Sequence, residues 1–255
     1  MEEIDGPAAG RDFAGPAAAS SGGAIIGYRD LAGTGFDLLV AGTTAITAVI
    51  EFGGRDLIVE DAAGRTASSG FVVGLPMAPM RVRGTGTECV EIRLSPLRAH
   101  ALGIAAAELG RGAVAVEDLW GSDVGRLREQ LAAARSWEER FARTNSFLAH
   151  CDRSMRPPDP EVVAGWEQLL ATGGRVRVAE LADTLGWSRK RLWSRFEAQL
   201  GLNPKRAAML VRFRCAVDGL LAGRPPAEVA AMCGSPTRRI WPGTCRSSGT
   251  ARPAR

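Results

Sequence analysis

The chain has 255 residues, of which 45% are hydrophobic and 24% are charged, and its formal net charge is +4. This length and apolar content allow a buried hydrophobic core, which excludes an intrinsically disordered chain. The five cysteines are scattered without a CxxC pair, which excludes a disulfide framework and a structural zinc site and predicts a reducing, cytoplasmic location.

Residues 1–23 begin with acidic side chains and contain no apolar segment of the signal-peptide type, so we predict a disordered tail. The longest stretch without charge, residues 38–50, is too short and too rich in Gly and Thr to span a bilayer. No membrane partner is therefore expected.

Residues 24–95 contain short apolar or alternating runs, which Gly, Asp and Pro clusters divide at intervals of about a dozen residues. This pattern predicts a β-rich domain built as an antiparallel sandwich or small barrel. Residues 51–56, with the sequence EFGGRD, are predicted to form a hairpin turn between two of its strands.

Residues 96–172 change to a helical pattern and are predicted to be a helical linker region. Ser136 is placed to cap a helix that begins at Trp137, with Glu139 at the third helical position of a capping box. After a proline-rich break at residues 156–160, another amphipathic helix runs to the pair Gly173 and Gly174.

Residues 173–234 are predicted to form an all-α domain that starts with three helices, so the predicted fold class of the chain is α+β. The first helix covers about residues 178–185, and Gly186 supplies a left-handed residue for a tight turn. Ser188 caps the second helix, which Gly201 ends. Its buried face is predicted to contain Leu192, Phe196 and Leu200.

The third helix is predicted to begin at Asn203, with Pro204 at its first position. Lys205 and Arg206 lie in its first turn, where the helix dipole disfavours cations and a nearby phosphate would offset that cost. Its apolar stripe is predicted to consist of Met209, Leu210, Phe213, Ala216, Val217 and Leu220.

A helix, a Gly-containing turn and a capped second helix are typical of the helix-turn-helix motif, whose second helix enters the major groove of DNA. If Leu192 and Phe196 point inward, the second helix presents Arg189, Lys190, Trp193 and Ser194 outward. The two cations would then contact guanine edges or phosphates, and the indole a thymine methyl. A three-helix bundle with an Arg-rich surface would show the same pattern, and Trp193 could instead belong to the core.

The charge of this region also favours a polyanionic partner. Residues 175–224 hold eleven basic and four acidic side chains. A basic segment on an otherwise acidic chain indicates nucleic-acid binding, whereas a solvated Arg-rich face is the alternative.

The stretch VAELADTLGWSRKRLWSRFEAQLGLNPKRAAMLVRF resembles the C-terminal domain of AraC/XylS-type transcription regulators, over about residues 176–234. The resemblance implies two helix-turn-helix units joined by a long helix, here residues 204–222. It implies a cupin-like N-terminal barrel, double-stranded DNA as partner, a small-molecule effector, RNA polymerase and a homodimer. The residues predicted to bind DNA are Ser188, Arg189, Lys190, Arg191, Trp193, Ser194, Lys205 and Arg206.

The sequence departs from the family after Gly234, where a second recognition helix should follow the segment AEVAAMCG. Pro236, Pro242 and Gly243 interrupt any helix there. With synonymous codons chosen for it, the frame read one base upstream spells FADQAHLARDVQEFGYS, the missing helix. We therefore expect a frameshift near Gly234, an incomplete second unit, weakened DNA binding, and a disordered Arg-rich tail at residues 235–255.

No catalytic residue, cofactor or metal ligand is predicted. The two histidines, His100 and His150, are isolated on helical stretches, and residues 24–95 contain no histidine that could bind a metal inside a barrel. Nucleotide-binding and hydrolase motifs are absent from the sequence. The alternative to a regulator is a small-molecule-binding or dimerisation module with a non-functional DNA-binding end.

Overall fold

The computed structural model describes residues 11–19, 23–40, 43–61, 64–75, 79–104, 109, 112–151 and 157–234. The described residues form a mixed α/β chain with ten strands and nine helices. The strands are β1 (Arg11–Ala19), β2 (Gly23–Asp30), β3 (Phe36–Val40), β4 (Ile46–Glu51), β5 (Leu57–Asp61), β6 (Gly64–Ser68), β7 (Gly70–Val73), β8 (Met80–Gly84), β9 (Glu88–Leu94) and β10 (Ala113–Ala115).

The helices follow the strands, apart from β10, which precedes α2. They are α1 (Pro96–Ala101), α2 (Val116–Trp120), α3 (Ser122–Ala133), α4 (Trp137–Cys151), α5 (Pro160–Ala171), α6 (Val178–Thr184), α7 (Arg189–Leu200), α8 (Pro204–Leu221) and α9 (Pro226–Met232). The chain changes from strands to helices near residue 96, but the prediction of a purely helical region at residues 96–172 is wrong at β10, which pairs with the distant β7.

The strands form two antiparallel sheets. One sheet has six strands in the order β1-β2-β9-β4-β7-β10, and the other has four in the order β3-β8-β5-β6. Their inner faces pack on each other through Phe71 and Val73 of β7, against Leu57 of β5 and Val82 of β8. The predicted antiparallel β-rich region is confirmed, because β2 to β9 occupy it.

The N-terminal segment differs from its prediction. Residues 11–19 lie in the predicted disordered tail but form β1, which pairs with β2. The Phe13 ring lies 5.0 Å from that of Tyr28, and the Asp12 carboxylate accepts a hydrogen bond of 2.8 Å from the indole N–H of Trp137. These partners are distant in sequence, so the local pattern does not reveal the strand. Residues 1–10 lie outside the described residues.

The predicted hairpin at residues 51–56 is wrong, because β4 and β5 belong to different sheets. The segment between them crosses from one sheet to the other around the buried Glu51 carboxylate. This carboxylate accepts hydrogen bonds of 2.8 to 3.1 Å from the N–H groups of Gly53, Gly54 and Arg55. A turn sequence shows that the chain changes direction, but it does not show which sheet the following strand joins.

A helix cap predicted from sequence is confirmed at α4. The Ser136 hydroxyl accepts a hydrogen bond of 3.2 Å from the Glu139 N–H. The Glu139 carboxylate accepts one of 2.9 Å from the N–H of Arg135, one residue before the N–H that a capping box uses. The cap by Ser136 is therefore present, whereas the Glu139 half of the predicted capping box is shifted by one residue to Arg135.

One hydrophobic core is shared by the six-stranded sheet and the helices. It includes Ile92 of β9, Ala99 of α1, Leu127 of α3, Trp166 of α5 and Phe196 of α7, all buried. α1 contacts both β9 and α7. The helices that follow the β-rich region are therefore packed on it.

α5, which lies in the predicted linker region, contacts α7 and α8. The approach is close at Gly165, where a Cβ atom would lie 2.9 Å from Cζ of Phe196. Phe196 is fully buried in the core, so any shift of its ring would disturb the side chains packed around it. A glycine at position 165 allows α5 to reach α7.

We expect Gly165→Ala to lower the free energy of unfolding by about 1–3 kcal/mol, because the added methyl group overpacks the contact with Phe196. The matched control is Gly125→Ala in α3, where a Cβ atom would have no neighbour within 4 Å. It should raise the free energy by up to about 1 kcal/mol through helix propensity. Urea unfolding followed by circular dichroism measures both, and equal effects would contradict the proposed contact.

Candidate functional site

The turn between α6 and α7 has the conformation that the sequence predicts. Gly186 has a φ of +64°, in the left-handed region. The Trp187 N–H then donates a hydrogen bond of 3.0 Å to the Ala182 carbonyl oxygen, which closes the turn onto α6. Leu181 and Ala182 are buried, so the two helices meet across small and apolar side chains.

α7 begins at the predicted cap and buries the predicted face. The Ser188 hydroxyl accepts a hydrogen bond of 3.2 Å from the Arg191 N–H. Leu192, Phe196 and Leu200 are each 0% exposed. Since these residues recur every four positions, they form one apolar stripe that faces the core.

The opposite side of α7 faces solvent. Arg189, Lys190 and Ser194 are exposed, and Trp193 is 37% exposed. The alternative in which Trp193 is part of the core is therefore wrong, whereas an Arg-rich helical surface without a DNA partner stays an alternative. A partly exposed indole on the same strip of the helix as Lys190 and Ser194 has an apolar face available for contact with a partner.

Arg191 is held differently from its neighbours, in a way that the sequence analysis missed. Its guanidinium lies 4.5 Å from the ring centroid of Trp187, the buried residue at the end of the turn. This cation–π contact positions the Arg191 side chain over the α6–α7 turn. The signal in the sequence is the spacing of four residues between an aromatic and a basic side chain.

The start of α8 also matches its prediction. The Asn203 side-chain oxygen accepts a hydrogen bond of 3.0 Å from the Arg206 N–H, and Pro204 is the first helical residue. Lys205 and Arg206 are exposed. The helix therefore begins with two cations directed into solvent.

The predicted apolar stripe of α8 is wrong at Met209, which is 42% exposed. α8 packs on α5 and α7 through Ala207, Ala208 and Val211, which are buried. Met209 lies on the opposite side of the helix from this group. The small alanines, rather than the larger methionine, face the core because the neighbouring helices approach closely.

Most other arginines of the helical region are paired with acids. Arg195 on α7 forms hydrogen bonds of 2.5 and 2.6 Å with the Asp159 carboxylate, next to the start of α5. Further ion pairs join Arg177 to Glu180, Arg214 to Asp218 and Arg224 to Glu228.

Four cations differ from these arginines. Across the ranges that the structure describes, Arg189, Lys190, Lys205 and Arg206 form no ion pair, and their side chains are not held by a hydrogen bond or ring contact as those of Arg175 and Arg191 are. They are exposed as well, so their charges are accessible to an anionic partner. These side chains and Trp193 form the candidate nucleic-acid interface.

α9 follows α8 after a short loop and packs against it. Val229 and Cys233 are buried, as expected for a helix with one apolar side, whereas Met232 is 42% exposed. The expected frameshift, the missing second recognition helix and the predicted Arg-rich tail concern residues 235–255, which lie outside the described residues.

A cavity of about 510 Å³ lies between the two sheets and is closed on one side by α8. Its walls are mainly apolar and include Leu57, Phe71 and Met80. Its polar groups include Thr47 and the ion pair between Arg93 and Glu91, 2.6 Å apart. The residues that α8 contributes are Arg214, Val217 and Leu221. The cavity has room for a small molecule with a largely apolar body.

Neither a metal cluster nor a membrane span is found in the described part of the chain. No group of three or more His, Cys, Asp or Glu side chains there could hold a metal ion. None of the helices in these ranges is both long and apolar enough to cross a bilayer.

Comparison with known proteins gives distant structural similarities. No protein-family model matches the chain, and no curated protein does. The AraC-like transcriptional activator CuxR is 15% identical, with 83% of this chain and 81% of CuxR covered and a TM-score of 0.34.

ToxT from Vibrio cholerae is also distantly similar to this chain. It is 12% identical, with 79% of this chain and 88% of ToxT covered and a TM-score of 0.40. A second ToxT structure, with a bound unsaturated fatty acid, is 10% identical, with 78% and 84% covered and a TM-score of 0.40. Values this low establish neither a family nor a function for this chain.

The pair formed by Asp159 and Arg195 makes stability depend on pH. The Arg195 guanidinium holds the pKa of the Asp159 carboxyl below its ordinary value. A carboxyl with a lowered folded-state pKa stabilises the fold above its unfolded-state pKa and loses that contribution as pH falls through the folded-state value.

We therefore expect a double-mutant cycle of Asp159→Asn and Arg195→Gln to give a coupling energy of about 0.2–1 kcal/mol above about pH 5. The coupling should disappear progressively below about pH 4. Chemical unfolding at several pH values measures it. A coupling energy that stays constant down to about pH 2 would show that the carboxylate charge does not contribute.

Proposed function

We propose that this chain is a sequence-specific DNA-binding transcription regulator of the AraC/XylS type, which inserts the start of α7 into the major groove. The observation that carries the proposal is the orientation of α7. Leu192 and Phe196 are fully buried, while Lys190 and Trp193 face solvent on the other side. The helix is thus anchored by one face and leaves cationic and indole groups for a duplex.

The exposed side chains of α7 are spaced for contact within one groove. Lys190, Trp193 and Ser194 occupy positions i, i+3 and i+4, so they lie on one strip of the helix. In the proposed complex Lys190 and Arg189 bind guanine edges or phosphates, and Trp193 packs on a thymine methyl. Glu197, exposed one turn further along the same strip, would repel phosphates and so limits contact to the first two turns.

The remaining predicted residues fit contacts to the phosphate backbone. Ser188 caps the N-terminus of α7, where backbone N–H groups and the helix dipole attract anions. Arg191, held over Trp187, adds a positive charge beside that end. Lys205 and Arg206 start α8, beyond the C-terminal end of α7, and would bind a more distant phosphate.

The described residues after α8 supply only α9 toward a second DNA-binding unit. Each good base contact contributes about 1–3 kcal/mol to discrimination, so one recognition helix gives weaker specificity than two. We therefore propose weak, salt-dependent binding. A homodimer and contact with RNA polymerase follow only from the resemblance, and we assign no residue to either.

The first test compares two double variants that each remove two positive charges. The logarithm of the binding constant falls linearly with the logarithm of salt concentration. We expect Arg189→Ala/Lys190→Ala to make this slope less steep by about 2, because each phosphate contact contributes about 0.9. Fluorescence anisotropy with a labelled duplex of random sequence, titrated at several salt concentrations, measures the slope.

The control variant is Arg126→Ala/Arg143→Ala, whose arginines pair with Asp123 and Glu139 on α3 and α4. It has the same net charge, so it should keep the wild-type slope. Equal losses in both variants would show that DNA responds to net charge alone.

Selection of duplexes from a random pool should enrich a short motif with the wild type and lose it with Trp193→Ala.

We further propose that the cavity between the sheets binds an effector with an apolar body. The supporting observation is that α8 carries cavity residues Val217 and Leu221 at one end and Lys205 and Arg206 at the other. A ligand in the cavity would therefore touch the helix that bears proposed DNA contacts. This also favours the alternative function, a small-molecule-binding module.

The cavity is tested with the fluorescent probe anilinonaphthalene sulfonate. We expect Val217→Trp, which places a large ring at the cavity wall, to weaken probe binding about tenfold, a difference of about 1.4 kcal/mol. Met209→Trp on the same helix is the control, since Met209 does not line the cavity and should leave binding unchanged. Equal affinities of both variants would place the probe elsewhere.

A further inference from the structure

The helices α8 and α9 form a hairpin whose first contact joins Gly219 to Val229. A Cβ atom on Gly219 would lie 3.0 Å from Val229 Cγ2, so the two helices approach closely at this level. The chain reverses between them through a hydrogen bond of 3.0 Å from the Arg224 N–H to the Gly219 carbonyl oxygen. Gly223 has a φ of +74° at the same turn.

Two cysteines lie one helical turn further from this loop. Cys215 precedes Gly219 by four residues on α8, and Cys233 follows Val229 by four residues at the end of α9. Residues four apart lie on the same face of a helix. Because α8 and α9 run in opposite directions, a step of four residues away from the loop leads along both helices to the same height of their interface. Cys215 and Cys233 therefore lie one turn beyond the contact between Gly219 and Val229.

A second set of contacts brings the two cysteines to the same place. A Cβ atom on Gly173 would lie 3.5 Å from the Cys215 sulfur, and one on Gly234 would lie 3.7 Å from the Arg175 side chain. Cys215 thus meets the turn that follows α5, and Gly234, the residue after Cys233, lies beside Arg175 of the same turn. Burial raises the pKa of the Cys233 thiol, and the neighbouring Cys215 raises it further.

The two thiols differ in access to solvent. Cys215 is partly exposed, whereas Cys233 is buried. An oxidant therefore reaches Cys215 first, and Cys233 is positioned to react with the product rather than with the oxidant. This division of roles is typical of a reactive cysteine beside a resolving cysteine.

We propose that Cys215 and Cys233 are an oxidisable dithiol, which hydrogen peroxide converts into a disulfide joining α8 to α9. The Cys215 thiolate attacks one peroxide oxygen, breaks the O–O bond and becomes a sulfenic acid, and the hydroxide that leaves takes up a proton to form water. The Cys233 thiol then attacks the sulfenic sulfur, forms the S–S bond and releases a second water. The two thiols together lose two electrons and two protons, and one peroxide is reduced.

The disulfide would constrain α9 against the helix that precedes it. The closed loop contains residues 216–232, so the relative position of α8 and α9 would no longer be adjustable. Any effect on DNA binding rests on the function proposed above. Formation of the bond does not, because it depends only on the placement of the two thiols.

Peptide mapping of the full chain tests the bond directly. Trypsin does not cut between Arg224 and Pro225, so residues 215–238 form one peptide that contains both cysteines. The protein is treated with hydrogen peroxide, its remaining thiols are blocked with N-ethylmaleimide in denaturant so that the buried Cys233 is accessible, and it is then digested without reductant. We expect this peptide to be unblocked and lighter by about 2 Da than the reduced peptide.

Reduction with dithiothreitol before blocking should restore two N-ethylmaleimide groups on the same peptide. Cys151→Ser is the matched control and should form the bond as the wild type does. Cys215→Ser should leave Cys233 blocked by N-ethylmaleimide after peroxide treatment. Because the decisive measurement uses the wild-type chain, it holds even if a variant at the buried Cys233 fails to fold.

Three results would overturn the proposal. Two blocked cysteines in the wild-type peptide after peroxide treatment would show that the thiols do not react. A sulfinic acid at Cys215 with a blocked Cys233 would show that the second thiol cannot reach the first. A cross-link from Cys215 to the separate peptide that contains Cys245 would assign the bond to another pair. None of these readouts involves DNA, so failure here is distinct from failure of the proposed function.

Discussion

The burial of one stripe of α7 is the constraint on which the helical half of the molecule depends. Leu192, Phe196 and Leu200 are inaccessible to solvent, and Gly165 allows α5 to contact Phe196 directly. Each fully buried side chain of this size contributes about 1.5–3 kcal/mol relative to an exposed one. The orientation of α7 is therefore strongly determined, and the exposure of Lys190 and Trp193 follows from it.

The same buried stripe joins the helices to the β-rich region. α1 continues directly from β9 and contacts α7, while α8 forms one wall of the cavity between the sheets. A small molecule in that cavity and a duplex at α7 would thus both act on helices that share one core. Packed cores have discrete rather than continuous arrangements, which is the physical basis on which the two events could be coupled.

The candidate site could be predicted from the sequence because its signals are local. The caps at Ser188 and Asn203, the left-handed Gly186 and the apolar spacing of α7 all depend on residues within four positions of each other. The prediction for Met209 is wrong because apolar spacing alone does not show that Ala207 and Ala208 face a close neighbouring helix. The contact between Arg191 and Trp187 is local as well, but side-chain direction was needed to identify it.

Hydrophobic periodicity and capping act over short distances, so the amino-acid sequence alone predicts the β-rich region before the helices, the starts of α6, α7 and α8, and the outward side of α7. Only the tertiary structure decided that residues 11–19 form β1, that β4 and β5 belong to different sheets, and that α8 closes the cavity. The same holds for the approach of Cys215 to Cys233. These features join residues far apart in the chain or set helices against each other, and a linear pattern does not encode such pairings.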